Sequence, residues 1–496
     1  MPLCLGGSVV NCYPNAICLM TPVSSLEFTA DELRAMADLV VARCVEHIAT
    51  AGEQPSCGNV DAVALCRAMR EPAPEHGTAL GPLLDRLFTE YIPRSLTTIG
   101  PGYLAYIPGG GLYSAALADF IADTTNRFTG IWQAAPALVQ LEANALDWLR
   151  EWMMFPSGAR GLFTAGGSMA TFGAIVCARE RHLGPDIRRG VLYTSDQAHH
   201  SVAKSARLAG IMPDRVRAIR SDERYRVDVD ALASAIADDR QAGLMPFAVV
   251  STAGTTNTGA VDPLDEVADS CEREGLWHHV DGAYGAFFYL CDDLRGVLRG
   301  LSRADSLTLD PHKGMFLPYG TGALLVRDGA ALRAAHEAAA AYLPAAPDSD
   351  EFYDAAQYGP DLSRSFPGLR VWLSVKLFGS AAFRAAIAEK RQLALDAWRR
   401  VRALPGIAID AEPELSLFAF HLTWPGATRA EEDAATKMLL EKTTARGRVM
   451  ITGCTTKGRV LARVCVLSFR THQRQIDALV EDLTASIGEI VPSRSA

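Results

Sequence analysis

The sequence predicts an α/β protein: a large, mainly parallel sheet covered on both faces, with a helical segment before it and a small α+β domain after it. Three observations lead there. From Gly161 to Val326, short apolar, β-rich runs alternate with amphipathic stretches of helical length. Before residue 100 the periodicity is helical, and after residue 406 strand-like pieces alternate with helices. This gives four regions: an extra or disordered extension (1–25), an N-terminal helical segment (26–99), a large α/β domain (100–375) and a small C-terminal α+β domain (376–496).

Length and composition agree with that architecture. A chain of 496 residues buries a large core, and at about 100–200 residues per domain it allows roughly two to four domains. Hydrophobic residues at 49% and charged residues at 21% match neither a disordered chain nor a membrane protein, and no run approaches the ~20 apolar residues of a span. The net charge is −9 with no long Lys/Arg run, which argues against nucleic acid and for a small-molecule partner. Eleven cysteines, an odd number without a C-x-x-C pair, read as reduced thiols of a cytoplasmic protein, with no metal site. Residues 1–20 contain no Lys or Arg and are interrupted by Pro14 and Asn15, so they do not read as a signal peptide.

Taken in order, TADEL at Thr29 is a capping box that starts a helix running to about Ala51, and its apolar face (Leu33, Met36, Leu39, Val40, Val41) suggests packing against another subunit or domain. A polar linker (52–60) and a helix at Gly81–Tyr91 follow. Next comes a Gly/Pro-rich loop, Gly100 to Gly111, then two helical patterns; here Tyr106, Pro108, Trp132 and Pro136 are candidates for a pocket or equally for core. Strands are expected at 161–164, 191–194, 216–219, 247–251, 276–280, 306–309 and 323–326, with helices at 169–182, 201–210, 228–242 and 263–274 between them. A long polar loop, YLPAAPDSDEFYDAAQYGPDLSRSF, reads as a lid. The long helix from Leu369 to about Leu404 is expected to break near Gly379. Strand-like 415–422 and 460–468 and helices 430–444 and 473–487 close the chain.

Five motifs carry chemistry. In TAGGSMAT a strand ends in Gly166, Gly167 and Ser168 as a helix begins; free amides and the helix dipole there favour an anion, although a plain cap has the same form. SDQAHHSV places His199 after a strand, as a cap or as a flat ring against a cofactor. STAGTTNTG offers the hydroxyls of Thr255 and Thr256, or simply a turn. WHHVDGAYG ends a strand on Asp281, and 32 residues later DPHKG ends another on Lys313. An amine able to form a Schiff base, a carboxylate able to hold a pyridine nitrogen protonated and a phosphate cradle are the three anchor points of pyridoxal 5'-phosphate.

Together these motifs resemble the group II pyridoxal-phosphate-dependent amino acid decarboxylases, strongly over about residues 100–375. The resemblance implies the fold type I transferase-like architecture, decarboxylation of an amino acid to its amine, and a homodimer with the active site at the interface. It implies that Lys313 carries the cofactor, Asp281 pairs with the ring nitrogen, and Ala283 and His199 lie against opposite faces of the ring. Gly167 and Ser168 would bind the phosphate, helped by Asp310 and His312, with Thr255 near the ring substituents and Gly109 touching substrate. Tyr342, in AYLP, matches a mobile-loop tyrosine that protonates the substrate carbon; related aldehyde synthases have phenylalanine there. An aldehyde synthase or aminotransferase would use the same anchors, and a non-catalytic binding protein would not need the whole set. Two departures, Gly282 for the usual Ala and Gly314 where many members have Trp, remove bulk and predict a reshaped pocket.

Overall fold

The computed structural model describes residues 26–58, 62–337, 347, 351–409 and 411–490. They form two compact units that divide after Gly100. The first is helical: α1 (Ala30–Ala49), α2 (Ala62–Ala68) and α3 (Leu80–Arg86), the last continuing into a wider π-type turn at Leu87–Tyr91. The capping box forms as the sequence predicts, with the Glu32 amide donating to Thr29 Oγ1 at 3.3 Å and the Thr29 amide donating to Glu32 Oε2 at 2.7 Å. The periodicity does not announce α2, because seven residues make only two turns. No residue of α1 is buried, and Leu33, Val40, Val41 and Val45 stand exposed along it.

The second unit is built on a seven-stranded sheet: β1 (Arg160–Thr164), β2 (Gly190–Ser195), β3 (Val216–Ile219), β4 (Met245–Thr252), β5 (Trp277–Asp281), β6 (Ser306–Leu309) and β7 (Gly322–Val326). These are the seven segments the alternation predicts, in the order β1-β7-β6-β5-β4-β2-β3. Only β7 is reversed, pairing antiparallel with both β1 and β6, while the remaining pairs are parallel. Helices α4 (Tyr113–Thr125), α5 (Pro136–Trp152), α6 (Gly167–His182), α7 (Ser201–Leu208), α8 (Val229–Gln241) and α9 (Leu264–Glu274), the single turn α10 (Pro311–Gly314) and α11 (Gly329–His336) complete this part. Every residue of β2, β5, β6 and β7 is buried, as expected of strands covered on both faces. The register sets Thr252, Asp281 and Thr308 side by side, so β4, β5 and β6 end together on one edge.

α12 (Pro367–Arg402) leads out of this sheet, and its helical geometry fails at Gly379 (φ 74°, ψ 157°), where the sequence predicts the break. By length and composition α12 is apolar enough to cross a membrane, which corrects the expectation that no run approaches a span; in this fold it packs on α4 and α5. Beyond it lie β8 (Ile407–Ala408), β9 (Leu417–Leu422), α13 (Arg429–Ala445), β10 (Thr452–Thr456), β11 (Arg459–Cys465) and α14 (Gln473–Ile490), the strands forming an antiparallel sheet β10-β11-β9-β8. β10 is an edge strand of sequence TGCTT, and without an apolar run it leaves no signal in the sequence. This small sheet grips the Gly-rich loop: the Met450 amide donates to the Gly102 carbonyl at 2.9 Å, the Cys465 amide donates to Leu104 at 3.0 Å, and Arg470 donates to the Gly110 carbonyl.

Candidate active site

The carboxyl ends of β1, β2, β4, β5 and β6 surround a cavity of about 260 Å³, the edge where an open parallel sheet presents a site. β1 delivers Gly166, Gly167 and Ser168; β2 delivers His199; β4 ends in Thr252; β5 ends in Asp281; β6 leads into Asp310, His312 and Lys313. Gly166 sits at φ 147°, a conformation that favours glycine, and opens α6 toward the cavity. A side chain starting at Gly167 would lie 3.1 Å from both Ala283 Cβ and Asp310 Oδ2, so the helix end stays close to the wall because that position is bare.

α10 is one turn long, and its i,i+3 spacing brings Lys313 Nζ to 2.8 Å from Asp310 Oδ2. Asp310 is almost fully buried, and its Oδ1 has no hydrogen-bond partner. His312 Nδ1 lies 2.8 Å from the Thr321 carbonyl, which only accepts, so Nδ1 carries the proton. Burial pushes the His312 pKa down, which leaves a neutral ring whose bare Nε2 faces Asp310 Oδ2 at 3.6 Å. Asp281 is buried and its pKa is raised by desolvation, against the opposing pull of the Lys313 charge and of the Ala283 amide, which donates to Oδ1 at 3.1 Å.

His199 is fixed differently. The Ser201 amide donates to its Nδ1 at 3.3 Å and Ser201 Oγ lies 2.7 Å away, so Nε2 holds the proton of the neutral ring. Burial first, then His200 with its ring centroid 4.1 Å away and Lys313, lower the His199 pKa to about 4. The ring is therefore uncharged at neutral pH.

Several expected residues stand elsewhere. Thr255 does not line the cavity: it is fully buried, and its hydroxyl serves Thr258 Oγ1 at 2.9 Å and the Ala260 amide at 3.2 Å inside its own turn. Its neighbour Thr256 lines the cavity instead. Tyr106, Pro108, Gly109 and Trp132 are also absent from the lining. Gly109 is pressed against the backbone of the lysine turn, where a Cβ would meet the His312 carbonyl at 2.0 Å, and the Trp132 ring packs tilted against Phe352, centroids 4.7 Å apart. Tyr106 is largely exposed at φ 52°. Tyr342 lies outside the described residues.

The expectation that Gly282 and Gly314 reshape the pocket is also corrected. A Cβ at Gly314 would meet Phe287 Cβ at 2.5 Å, and one at Gly282 would meet Ala286 Cβ at 2.8 Å. Neither lines the cavity; both let core side chains approach the strand ends from behind. Sequence reading missed Thr252, Ser201 and Tyr284, which do line it. Their signal was membership of STAGTT, AHHSV and DGAY, but which side chain of a motif turns inward depends on the local turn.

The donor set fits pyridoxal phosphate. A helix of 16 residues presents its amino end, an amine and a buried carboxylate share the cavity, and two buried oxygens on its wall, Thr252 Oγ1 and Asp310 Oδ1, lack partners. Residues 68–423 match the model of the pyridoxal-dependent decarboxylase conserved domain. The chain belongs to that family. This decarboxylase is 35% identical to an aromatic-L-amino-acid decarboxylase of Bacillus atrophaeus, over 93% of its own length and 98% of the relative's. A crystal structure of Oryza sativa TDC with PLP and tryptamine superposes with a TM-score of 0.89 at 27% identity, covering 94% of this chain and 99% of that one. A 4-hydroxyphenylacetaldehyde synthase of Rhodiola rosea reaches 0.86 at 25% identity, covering 94% and 99%. The decarboxylase is thus a lyase of fold type I that uses pyridoxal phosphate to remove the carboxyl group of an amino acid.

Proposed function

We propose that this decarboxylase acts on an aromatic L-amino acid as a cytoplasmic homodimer, with Lys313 as its cofactor-bearing amine and Asp281 as the partner of the ring nitrogen. The observation that carries the assignment of roles is the placement of Asp281 and Lys313 at the ends of the adjacent strands β5 and β6, on one cavity with the amino end of α6. The aromatic substrate is supported by the name of the Bacillus relative. The homodimer is supported by the exposed apolar face of α1, and the cytoplasmic location by cysteines such as Cys177, Cys271 and Cys465 remaining thiols.

Pyridoxal phosphate supplies an electron sink for the pair left when the carboxylate departs. The protein supplies the rest. The amides at Gly167 and Ser168 and the dipole of α6 would hold the phosphate. Asp281, desolvated in the cavity wall, would accept the ring N–H and keep that nitrogen protonated. His199 and Ala283 line the same cavity and would hold the cofactor ring between them, and the neutral His199 ring would keep its Nε2–H available to the substrate. Lys313, whose Nζ lies on the same cavity, would be the residue that holds the cofactor through its amine. Tyr342 delivers the proton to the substrate carbon; a tyrosine there supports plain decarboxylation over the aldehyde synthesis of the Rhodiola neighbour.

Carbon dioxide release measured across the standard amino acids tests the substrate. Tryptophan, tyrosine or phenylalanine is expected to be turned over fastest, with amine as product. Aldehyde as the main product, or a preference for acidic side chains, defeats the reading.

A further inference from the structure

The lysine turn holds a group that a phosphate cradle does not need. The family resemblance gives Asp310 a share in binding the phosphate, but a phosphate oxygen accepts hydrogen bonds and an ionised carboxylate likewise only accepts, so the two repel. Yet Asp310 stands in the wall, almost wholly buried, with Oδ2 2.8 Å from Lys313 Nζ and Oδ1 unpartnered. The other titratable groups near the amine are worse placed to take its proton. Asp281 acts on Lys313 through charge, and no hydrogen bond joins them. His199 commits Nδ1 to Ser201 and turns a donor outward, while Tyr319 and Cys465 feel the lysine charge without bonding it. His312 presents its bare Nε2 to Asp310 rather than to the amine.

We propose that Asp310 is the catalytic base of cofactor loading, taking the surplus proton of the Lys313 ammonium so that the amine can attack the aldehyde of pyridoxal phosphate. The inference rests on Lys313 being the attachment point. One proton passes from Nζ to Oδ2, and the freed lone pair forms the nitrogen–carbon bond as the carbonyl pair moves onto oxygen. That oxygen leaves as water with two protons, one from Nζ and one returned by Asp310. Nothing is oxidised or reduced, and the carboxylate ends ionised beside a positively charged nitrogen, as it began.

The test uses apoenzyme and the rise of bound-cofactor absorbance after mixing with pyridoxal phosphate. Asp310→Asn is expected to slow capture by about ten- to a hundred-fold. Added formate, a small carboxylate, is expected to restore much of the rate while leaving the wild type unchanged. Pyridoxamine 5'-phosphate, which has no aldehyde, is expected to bind the variant at least as tightly as the wild type. Capture at the wild-type rate, slow capture that formate does not restore, or weaker pyridoxamine phosphate binding overturns the proposal. If Asp310→Asn does not fold, Asp310→Ser with formate makes the same test. Lys313→Ala run in parallel separates the two levels: if it keeps the covalent absorbance, the Lys313 assignment falls; if only the Asp310 variants behave as wild type, the base assignment falls alone.

Discussion

The two edges of the large sheet each carry a cavity, and the larger one is not the candidate active site. At the carboxyl edge about 260 Å³ is lined by Asp281, Asp310 and Lys313; at the amino edge about 650 Å³ is lined by Arg181, Arg303, Arg327, Asp305 and His278 among others. The difference lies in how far the charged groups are already committed; at the amino edge the unpartnered buried atom is a ring nitrogen, His278 Nδ1, and not a charge. Arg303 is held by Asp265, Asp269 and Glu272 at 2.6–2.9 Å, Arg327 donates to the carbonyls of Ala304 and Ser302, and Asp305 accepts the His278 amide at 2.8 Å. Its charges support structure. At the carboxyl edge Thr252 Oγ1 and Asp310 Oδ1 are left without partners, and an amine and a desolvated carboxylate face the same space. Unspent bonding capacity, not volume, marks a site for chemistry.

Removing the amine should break that contrast most completely. Lys313→Ala is expected to abolish carbon dioxide release and the absorbance of attached cofactor while the protein stays folded by circular dichroism; turnover near the wild-type rate would falsify the assignment. Asp281→Ala should lower kcat by about 10²–10⁴-fold, the range for groups that control a proton in the transition state. Steady-state kinetics at saturating cofactor checks this, and a loss under tenfold would mean that the ring nitrogen has another partner.

The glycines behind the cavity give a smaller, purely structural effect. Gly314→Ala forces a Cβ to within 2.5 Å of Phe287 Cβ, and overpacking of this kind costs about 1–3 kcal/mol. Denaturant unfolding is expected to show that loss with unchanged preference among amino acids. A change in substrate preference at full stability would restore these positions to the pocket.

Acid should affect both edges together. The pKa values of His199 (about 4), His278 (about 3) and His279 (about 3) are depressed chiefly by burial. Between those values and the unfolded value of about 6.5, the unfolded chain binds protons that the native state does not. Stability is therefore expected to fall as pH drops from about 6.5 toward 3 and to be insensitive to these groups above it. His279→Gln should flatten the decline in thermal midpoint measured against pH, and an unchanged slope would remove His279 from the account.

How much of this was legible follows from where each signal resides. The sheet was legible because buried parallel strands are short apolar runs, and so were Asp281, Lys313 and Gly167, which stand at strand ends or helix starts. Thr255 and Thr256 were not separable: adjacent residues of one type point opposite ways, and the turn's own hydrogen bonds decide which faces inward. Gly282 and Gly314 misled for a related reason. A missing side chain suggests open space, but Phe287 and Ala286, close in sequence to Gly282, already fill it. β10 was invisible because an edge strand needs no apolar face.

The smallest expected effect lies at the amino edge. Arg181 is exposed on the rim of the larger cavity, at the end of the same α6 whose beginning addresses the carboxyl-edge site. If that cavity is structural, Arg181→Ala removes a solvated charge, and surface changes of this sort stay within about 0.5 kcal/mol. The helix dipole cannot carry the change across, because its influence is confined to the terminal turns. Activity and cofactor affinity are accordingly expected to remain within about twofold of wild type, since 0.5 kcal/mol corresponds to about a 2.3-fold ratio. A tenfold change in kcat/KM would show that the two edges communicate through α6 and that the spent arginines do more than hold the fold.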